Sequence, residues 1–401
     1  MISVQRLNWR QWSTLAPTWE RIHNMCPDAS FFLSREWVDC WLATFGGDLN
    51  PDLMTFARDG DVVGCCLLVW RTQWVRGIPL RRVYLNCSGE NEADSTCIEY
   101  NSLLSLPDCA ELVAKALGTF LRTRYWDELL LHGVVEDSPL CAVGNTLGNN
   151  EVYVKPSYFV QLRRIRDDDA GFDSFLSANT RQQIRRSQRL YERTSGPCTF
   201  RVARTGQEAA EIFTRLADLH QVAWKDRGRP GVFASPQFTG FHRRLIQVVF
   251  EHNQIMLAEV CAGTEVIGAL YSFLHRGRVY FYQSGFRYTT DGRLKPGLVT
   301  HYLAIRYCLE QSVLNEYDFL AGDSQYKRSL ATSSRPLRWI VVRRSTVPSI
   351  LFRGLRWVKR TYVQILKKNS RKNQPSCGVE RSADVSVPNI ETGQVVGNAN
   401  K

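Results

Sequence analysis

The stretch from Glu316 to Leu330, EYDFLAGDSQYKRSL, sets a carboxylate, a phenol and an ammonium close together as Asp323, Tyr326 and Lys327. An apolar run ends at Leu320, so these side chains follow a short strand. Ligands of open α/β sheets lie beyond strand ends, which makes this a place for chemistry. There Asp323 suits proton acceptance, Tyr326 proton donation, and Lys327 the holding of an anion or a developing negative charge. The plain alternative is a turn: Asp323 capping it, Tyr326 packed on the sheet and Lys327 in water. Asp318 stands inside the strand between Tyr317 and Phe319. An unpaired carboxylate there is costly, so it must face a polar cleft or find a partner such as an arginine.

Other residues have types and spacings that suit ligand binding. Arg293, Lys295, Gly297 and Leu298 lead into a helical pattern. A helix N-terminus with glycine and cations beside it attracts anions; the alternative is a solvated cap. Arg181, Arg185 and Arg189 recur at four-residue steps, one face of a helix that repels itself unless an anion or a carboxylate answers it. Trp224 and His220 share a helix face, with His220 read as a core or surface histidine before a base. In GRVYFYQSGF, Tyr280 and Tyr282 point to one side of a strand and Phe281 and Gln283 to the other, an aromatic lining that suits a sugar cleft or a core. Gly285 closes that strand and leaves room for a ligand backbone.

The elements that must carry these residues occur twice. LMTFARDGDVVGCCLLVW reads as strand, turn at Asp59-Gly60, strand. A further strand follows, then a helix from about Asp108 to Arg124 and a strand at Glu128 to Leu131. IMLAEVCAGTEVIGALYSFL repeats the hairpin with its turn at Ala262-Gly263. GRVYFYQSGF adds a strand, and KPGLVTHYLAIRYCLEQSVLNEYDFL a helix and strand. The order β-β-β-α-β is thus duplicated. Leu298, Tyr302, Ile305 and Leu309 give the second helix one apolar face, with Pro296 at its start. Three helical patterns, at 172–193, 207–228 and 235–254, precede the second hairpin. The expected organisation is a unit over 1–155, a second over 156–347, a basic amphipathic helix over 348–372 and a disordered tail over 373–401.

Composition narrows the class. At 401 residues and 46.0 kDa, with 44% hydrophobic and 22% charged residues, the chain suits two globular units. No apolar run approaches the ~20 residues that span a bilayer. MISVQRLNWRQW lacks the pattern of a signal peptide, which points to the cytoplasm. Twelve cysteines are scattered in apolar contexts without a C-x-x-C pair, and no histidine stands at metal-ligand spacing. Buried thiols and no metal are the expectation. The net charge of +12 draws heavily on LFRGLRWVKRTYVQILKKNSRK, which holds eight cations and no acid. That concentration argues against a specific nucleic-acid surface and suits peripheral contact with anionic membrane through 351–372.

The ordered series NTRQQIRRSQRLYE, HQVAWKDRG, FASPQFTGFHRRL, the second hairpin, VYFYQSGF, KPGLVTHYLAIRYCLEQ and YDFLAGDSQYK resembles the GNAT-type acyltransferases of the cellulose-biosynthesis-associated (CelD/BcsL-like) branch, related in fold to the FemAB aminoacyltransferases. It covers about Phe172 to Arg344, with the first half a degenerate companion unit. The resemblance implies an α/β (α+β) fold of tandem GNAT-like units, each a mixed twisted sheet flanked by helices. It implies acyl transfer, with acetyl the expected group, from acyl-CoA to an amine or hydroxyl of a polar, carbohydrate-type acceptor. Asp323, Tyr326 and Lys327 would be catalytic. Arg293, Lys295, Gly297 and Leu298 would hold the coenzyme, and Arg181, Arg185, Trp224, Tyr282, Gln283 and Asp318 would line the acceptor side. The family's loop, Q/R-x-x-G-x-G/A, keeps Arg293 and Gly297 here and lacks its second glycine. Alternatives are an aminoacyl-tRNA-dependent FemAB-like transferase, though the long coiled arm of several such enzymes is missing, and a non-catalytic scaffold of a glycan-synthesis complex.

Overall fold

The computed structural model describes residues 1–168 and 171–356. The first half runs β1 (Ile2–Asn8), α1 (Trp12–Met25), α2 (Arg35–Leu49), β2 (Asp52–Arg58), β3 (Asp61–Val75) and β4 (Ile78–Leu85). It continues with β5 (Leu104–Ser105), α3 (Ala110–Arg122), β6 (Glu128–Val135), α4 (Pro139–Leu147) and β7 (Asn149–Gln161). Three helices follow: α5 (Leu162–Arg166), α6 (Phe172–Phe175) and α7 (Ala178–Thr194). The second half then runs β8 (Cys198–Val202), α8 (Gly206–Lys225), α9 (Pro236–Val249), β9 (Ile255–Ala262), β10 (Glu265–His275) and β11 (Arg278–Phe286). It ends with α10 (Pro296–Glu310), β12 (Glu316–Ala321), α11 (Gln325–Leu330) and β13 (Ser333–Arg343).

The duplication is longer than the five-element repeat read from sequence. It takes in a preceding strand and two helices, β1-α1-α2 matching β8-α8-α9. It reaches single residues as well. Arg82-Val83-Tyr84 of β4 runs parallel to Glu128-Leu129-Leu130 of β6, and Arg278-Val279-Tyr280 of β11 parallel to Glu316-Tyr317-Asp318 of β12. Each arginine meets the glutamate of the neighbouring strand at 2.8 Å. The hairpin turn at Asp59-Gly60 stands as read, both residues at positive φ. Its counterpart is Gly263-Thr264 rather than Ala262-Gly263, because Ala262 still pairs with Glu265.

One mixed sheet carries both halves, in the order β1-β2-β3-β4-β6-β13-β7-β12-β11-β10-β9-β8. The last strand of each half is exchanged: β13 pairs with β6, β7 pairs with β12, and the two pair with each other from Asn149↔Arg343 to Phe159↔Ser333. Residue 155 therefore falls inside β7. On one face a single core joins α1, α2, α8 and α9, where Phe31 stacks on Phe273 (4.4 Å) and Trp37 meets Phe241 edge-on (4.9 Å). Such buried rings contribute about 1.5–3 kcal/mol each. The other face has separate cores, under α3 and α4 in the first half and under α10, α7 and α5 in the second. No helix among the described residues is long and apolar enough to cross a membrane. Residues 347–356 are helical. The rest of the expected basic helix and the tail lie outside the described residues.

Candidate active site

The parallel strands β11 and β12 pair only over Arg278–Tyr280 and Glu316–Asp318. Beyond Tyr280, β11 continues to Phe286, held by β10 on its other edge, while β12 turns away through a bulge. Leu320 sits there at φ +58°, and its N–H donates to Asp318 Oδ1 (2.8 Å). The backbone N–H and C=O groups of β11 that face the opening have no ladder partner among the described residues, so they can take hydrogen bonds from an extended ligand. α10 packs beside this opening and begins near its wide end. Its N-cap Lys295 gives no side-chain cap, and Pro296 has no N–H. The Lys295 N–H donates to Ser187 Oγ of α7 (2.9 Å). Gly297 lies against the Phe286 ring, where a Cβ would stand 3.3 Å from it. Leu298 is half-buried, and Arg293 is exposed and paired with Asp291 (2.6 Å).

The first half closes its own equivalent gap. After β4 the chain leaves the sheet and returns at β5, beside Gly64 and Cys65 of β3. On the way Asn101 forms a parallel bridge with Val134 of β6, its N–H donating to the Gly133 carbonyl (3.1 Å). Asn86 Nδ2 locks this segment by donating to Asn101 Oδ1 (2.6 Å) and the Ser102 carbonyl (2.8 Å). Gly133 is needed: its φ is +63°, and a Cβ would lie 2.8 Å from Glu99 Cα.

That plug also reaches the second half. The Ala321 N–H donates to Glu99 Oε2 (2.7 Å), and the Tyr282 hydroxyl to the Thr96 carbonyl (2.7 Å). The Tyr100 hydroxyl and Ser157 Oγ (2.8 Å) both donate to Asp318. Asp318 is thus fully buried and answered by hydroxyls and the Leu320 N–H. Arg278 and Arg335 lie over the Tyr100 ring nearby. Lys327, 5% exposed, donates from Nζ to the carbonyls of Leu320 (3.0 Å) and Ala321 (2.9 Å). Burial pushes the Lys327 ammonium down to about 8, against the pull of Glu99 and Asp318. Burial pushes the Glu99 carboxyl up to about 7, against the Ala321 N–H and Lys327. Two buried ionisable groups, each drawn by burial towards its neutral form, therefore stand at the end of β12.

The predicted trio does not converge. α11 begins directly after Ser324, and its turn sends successive side chains apart. Lys327 points inward. Tyr326 stacks on His301 (5.0 Å), where burial raises its phenol. Asp323 is exposed, paired with Arg328 and accepting from the Tyr158 hydroxyl (3.2 Å). Two of the three arginines on that face of α7 are answered from within the chain: Arg181 donates to the carbonyls of Asp173 (3.0 Å) and Leu176 (2.5 Å), and Arg185 pairs with Asp173 (3.2 Å), while Arg189 is exposed. Trp224 is buried against His220 (5.7 Å), whose ring burial pushes down to about 4. Tyr282 joins an aromatic cluster with His242 (3.1 Å), and Gln283 follows it half-buried, in register with Tyr271. The room at Gly285 is taken by α8, since a Cβ would lie 2.3 Å from the Leu216 carbonyl oxygen.

Sequence reasoning missed Glu99, Tyr100, Ser157 and His301. His301, fully buried on α10, has Nδ1 3.0 Å from the Tyr317 hydroxyl, and burial pushes it down to about 3. A histidine amid the apolar face of α10 was the one available signal; Glu99 in CIEYNS gave none.

Residues 178–328 match the family model described as an acetyltransferase (GNAT) domain. The search of curated proteins gave no match. Among solved structures the fold is similar to that of FemX, with a TM-score of 0.51 at 9% identity over 81% of this chain and 95% of that one. The C-terminal domain of a putative lysylphosphatidylglycerol synthetase from Agrobacterium fabrum has a TM-score of 0.49 at 9% identity, covering 84% and 93%. A tandem GNAT protein of the clavulanic acid pathway has a TM-score of 0.45 at 11% identity, covering 85% and 98%. The FemX likeness speaks to fold alone.

Proposed function

We propose that the chain is an acyltransferase of the cellulose-biosynthesis-associated GNAT type, moving an acyl group, acetyl foremost, from acyl-CoA to an amine or hydroxyl of a polar, carbohydrate-type acceptor. The observation that carries this reading is the open edge of β11 beyond Tyr280, inside the matched segment, with the uncapped start of α10 beside it. An amide-bearing arm fits the first and a pyrophosphate the second. Acyl-CoA would supply an activated thioester carbonyl. Lys295 adds positive charge at the start of α10, Arg293 stands beside it paired with Asp291, and Gly297 with Phe286 shapes its wall.

On the other side of the opening, Glu99 in its ionised form accepts the proton that the attacking amine or hydroxyl loses. The Lys327 ammonium gives a proton to the departing thiolate, so the proton count balances once Glu99 loses the proton it gained and Lys327 takes one up again. Tyr100 and Ser157 hold Asp318 beneath the bulge and fix the Leu320–Ala321 backbone to which Lys327 is bound.

Isothermal titration with CoA and acetyl-CoA tests this reading. Binding is expected, weakened at least about tenfold by Lys295→Glu, which suits a helix start but repels phosphate. An absence of binding at millimolar donor, or an unchanged affinity in Lys295→Glu, defeats it. Retention of aminoacyl-tRNA on a filter in place of CoA binding would move the donor to the FemAB-like alternative.

A further inference from the structure

The helix at 347–356 is amphipathic in an inverted sense. Its packed side holds Ser349, Phe352 and Arg356. Phe352 is 7% exposed and joins Val75 and Leu80 of the β3–β4 hairpin, and Arg356 pairs with Glu151 (2.8 Å). Thr346 Oγ1 fixes its start by donating to Asp127 (2.5 Å). The outward side carries Val347, Ile350, Leu351 and Leu355, at 71, 54, 57 and 47% exposure. Scattered surface leucines need no explanation, but a row at helical spacing does.

The row is continuous with charge. From Arg353 to Lys372 the sequence has eight cations and no acid, with Trp357 and Tyr362 among them. A second copy of this chain would set that basic stretch against itself, so self-association is opposed by charge. The face is a single convex helix side, so a covering partner must supply anionic groups and apolar depth without an interlocking shape. A lipid surface has all of these, and tryptophan and tyrosine favour its interface.

We propose that the helix at 347–356 is a peripheral docking surface for anionic bilayers, seated through Val347, Ile350, Leu351 and Leu355, with the lysines and arginines that follow it in the sequence supplying the charge. Because Phe352 and Arg356 tie the helix to the β3–β4 hairpin and β7, binding fixes the orientation of the whole sheet against the lipid. This surface lies apart from α10 and the β11–β12 opening, so it stands or falls independently of acyl transfer.

The test is co-sedimentation of the full chain with phosphatidylcholine vesicles, with and without phosphatidylglycerol. Pelleting is expected only with phosphatidylglycerol and should fall steeply with salt. The double variant Leu351→Asp, Leu355→Asp should lose at least about tenfold in partitioning, and Lys367→Ala about fivefold. Circular-dichroism melts of both should match the native chain, since Leu351 and Leu355 are exposed. Equal pelleting with neutral vesicles, no pelleting, or an undiminished double variant overturns the proposal. So does a concentration-dependent dimer that Leu351→Asp abolishes.

Discussion

Replacing Glu99 by glutamine probes the buried pair at the end of β12. The change keeps the size of the side chain and an oxygen that still accepts from the Ala321 N–H, and it removes the charge. With its carboxyl raised from 4.5 to about 7, the folded protein keeps a proton that the unfolded chain has lost over that interval. The native chain's stability therefore falls as pH rises from 4.5 to 7, by about 3 kcal/mol at about 1.4 kcal/mol per pH unit. Glutamine has no such limb. Lys327 acts with the opposite sign: its folded value of about 8 lies below 10.5, so the unfolded chain binds the extra proton and stability rises with pH between those values. Glu99 is the chief influence holding that value up, so its loss starts the rising limb earlier. Relative to the native chain, Glu99→Gln should gain about 3 kcal/mol between pH 4.5 and 7 and go on gaining up to pH 8. The buried neutral histidines His132, His220 and His275 weaken both chains alike on acidification and cancel in the difference. Urea midpoints followed by circular dichroism across this range give the curve. A difference flat to within about 1 kcal/mol would refute the reasoning, because Glu99 would then titrate as an ordinary surface carboxyl.

Four substitutions test neighbouring steps. Gly133→Ala forces a side chain into φ +63° and onto Glu99 Cα, and should lower stability by about 2–4 kcal/mol in urea melts. Gly285→Ala, whose Cβ would meet the Leu216 carbonyl oxygen, should cost about 1–3 kcal/mol in the same melts without weakening CoA titration. Lys327→Met should lower thiol release from acetyl-CoA at least about tenfold, while Asp323→Asn, which loses only an exposed pair with Arg328, should stay within about twofold.

Local patterns made some of this architecture legible. Hairpin turns at fixed φ and the helical spacing in α10 each write a signal into a few adjacent residues, and both recur, so the repeat could be read. The exchange of β7 and β13 could not. Strand pairing over such separations leaves no local trace, and each strand contains a proline that argues against a central position. Pro156 and Pro336 stand opposite one another, so their two missing N–H groups fall at one register position. At the site, Lys327 was found because it follows a strand end, but its direction was set by the turn of α11, which a six-residue helix does not announce. Glu99 was beyond reach, since its role comes from a segment that folds across to another half of the chain.

The two halves of the duplication differ in what stands beside their bulges. Both carry the Arg-Val-Tyr strand beside a glutamate strand, and both turn that second strand away at a bulge with a left-handed residue, Gly133 in one and Leu320 in the other. In the first half the opening is filled by 98–101. In the second no strand among the described residues pairs β11 beyond Tyr280 on that edge, and the filling segment of the first reaches across to it: Glu99 on the Ala321 N–H and Tyr100 on Asp318. Cutting at residue 155 would divide β7, strip β12 of its antiparallel neighbour and remove the carboxylate that steadies Lys327. The segment that fills the gap of the first half also ties the bulge of the second.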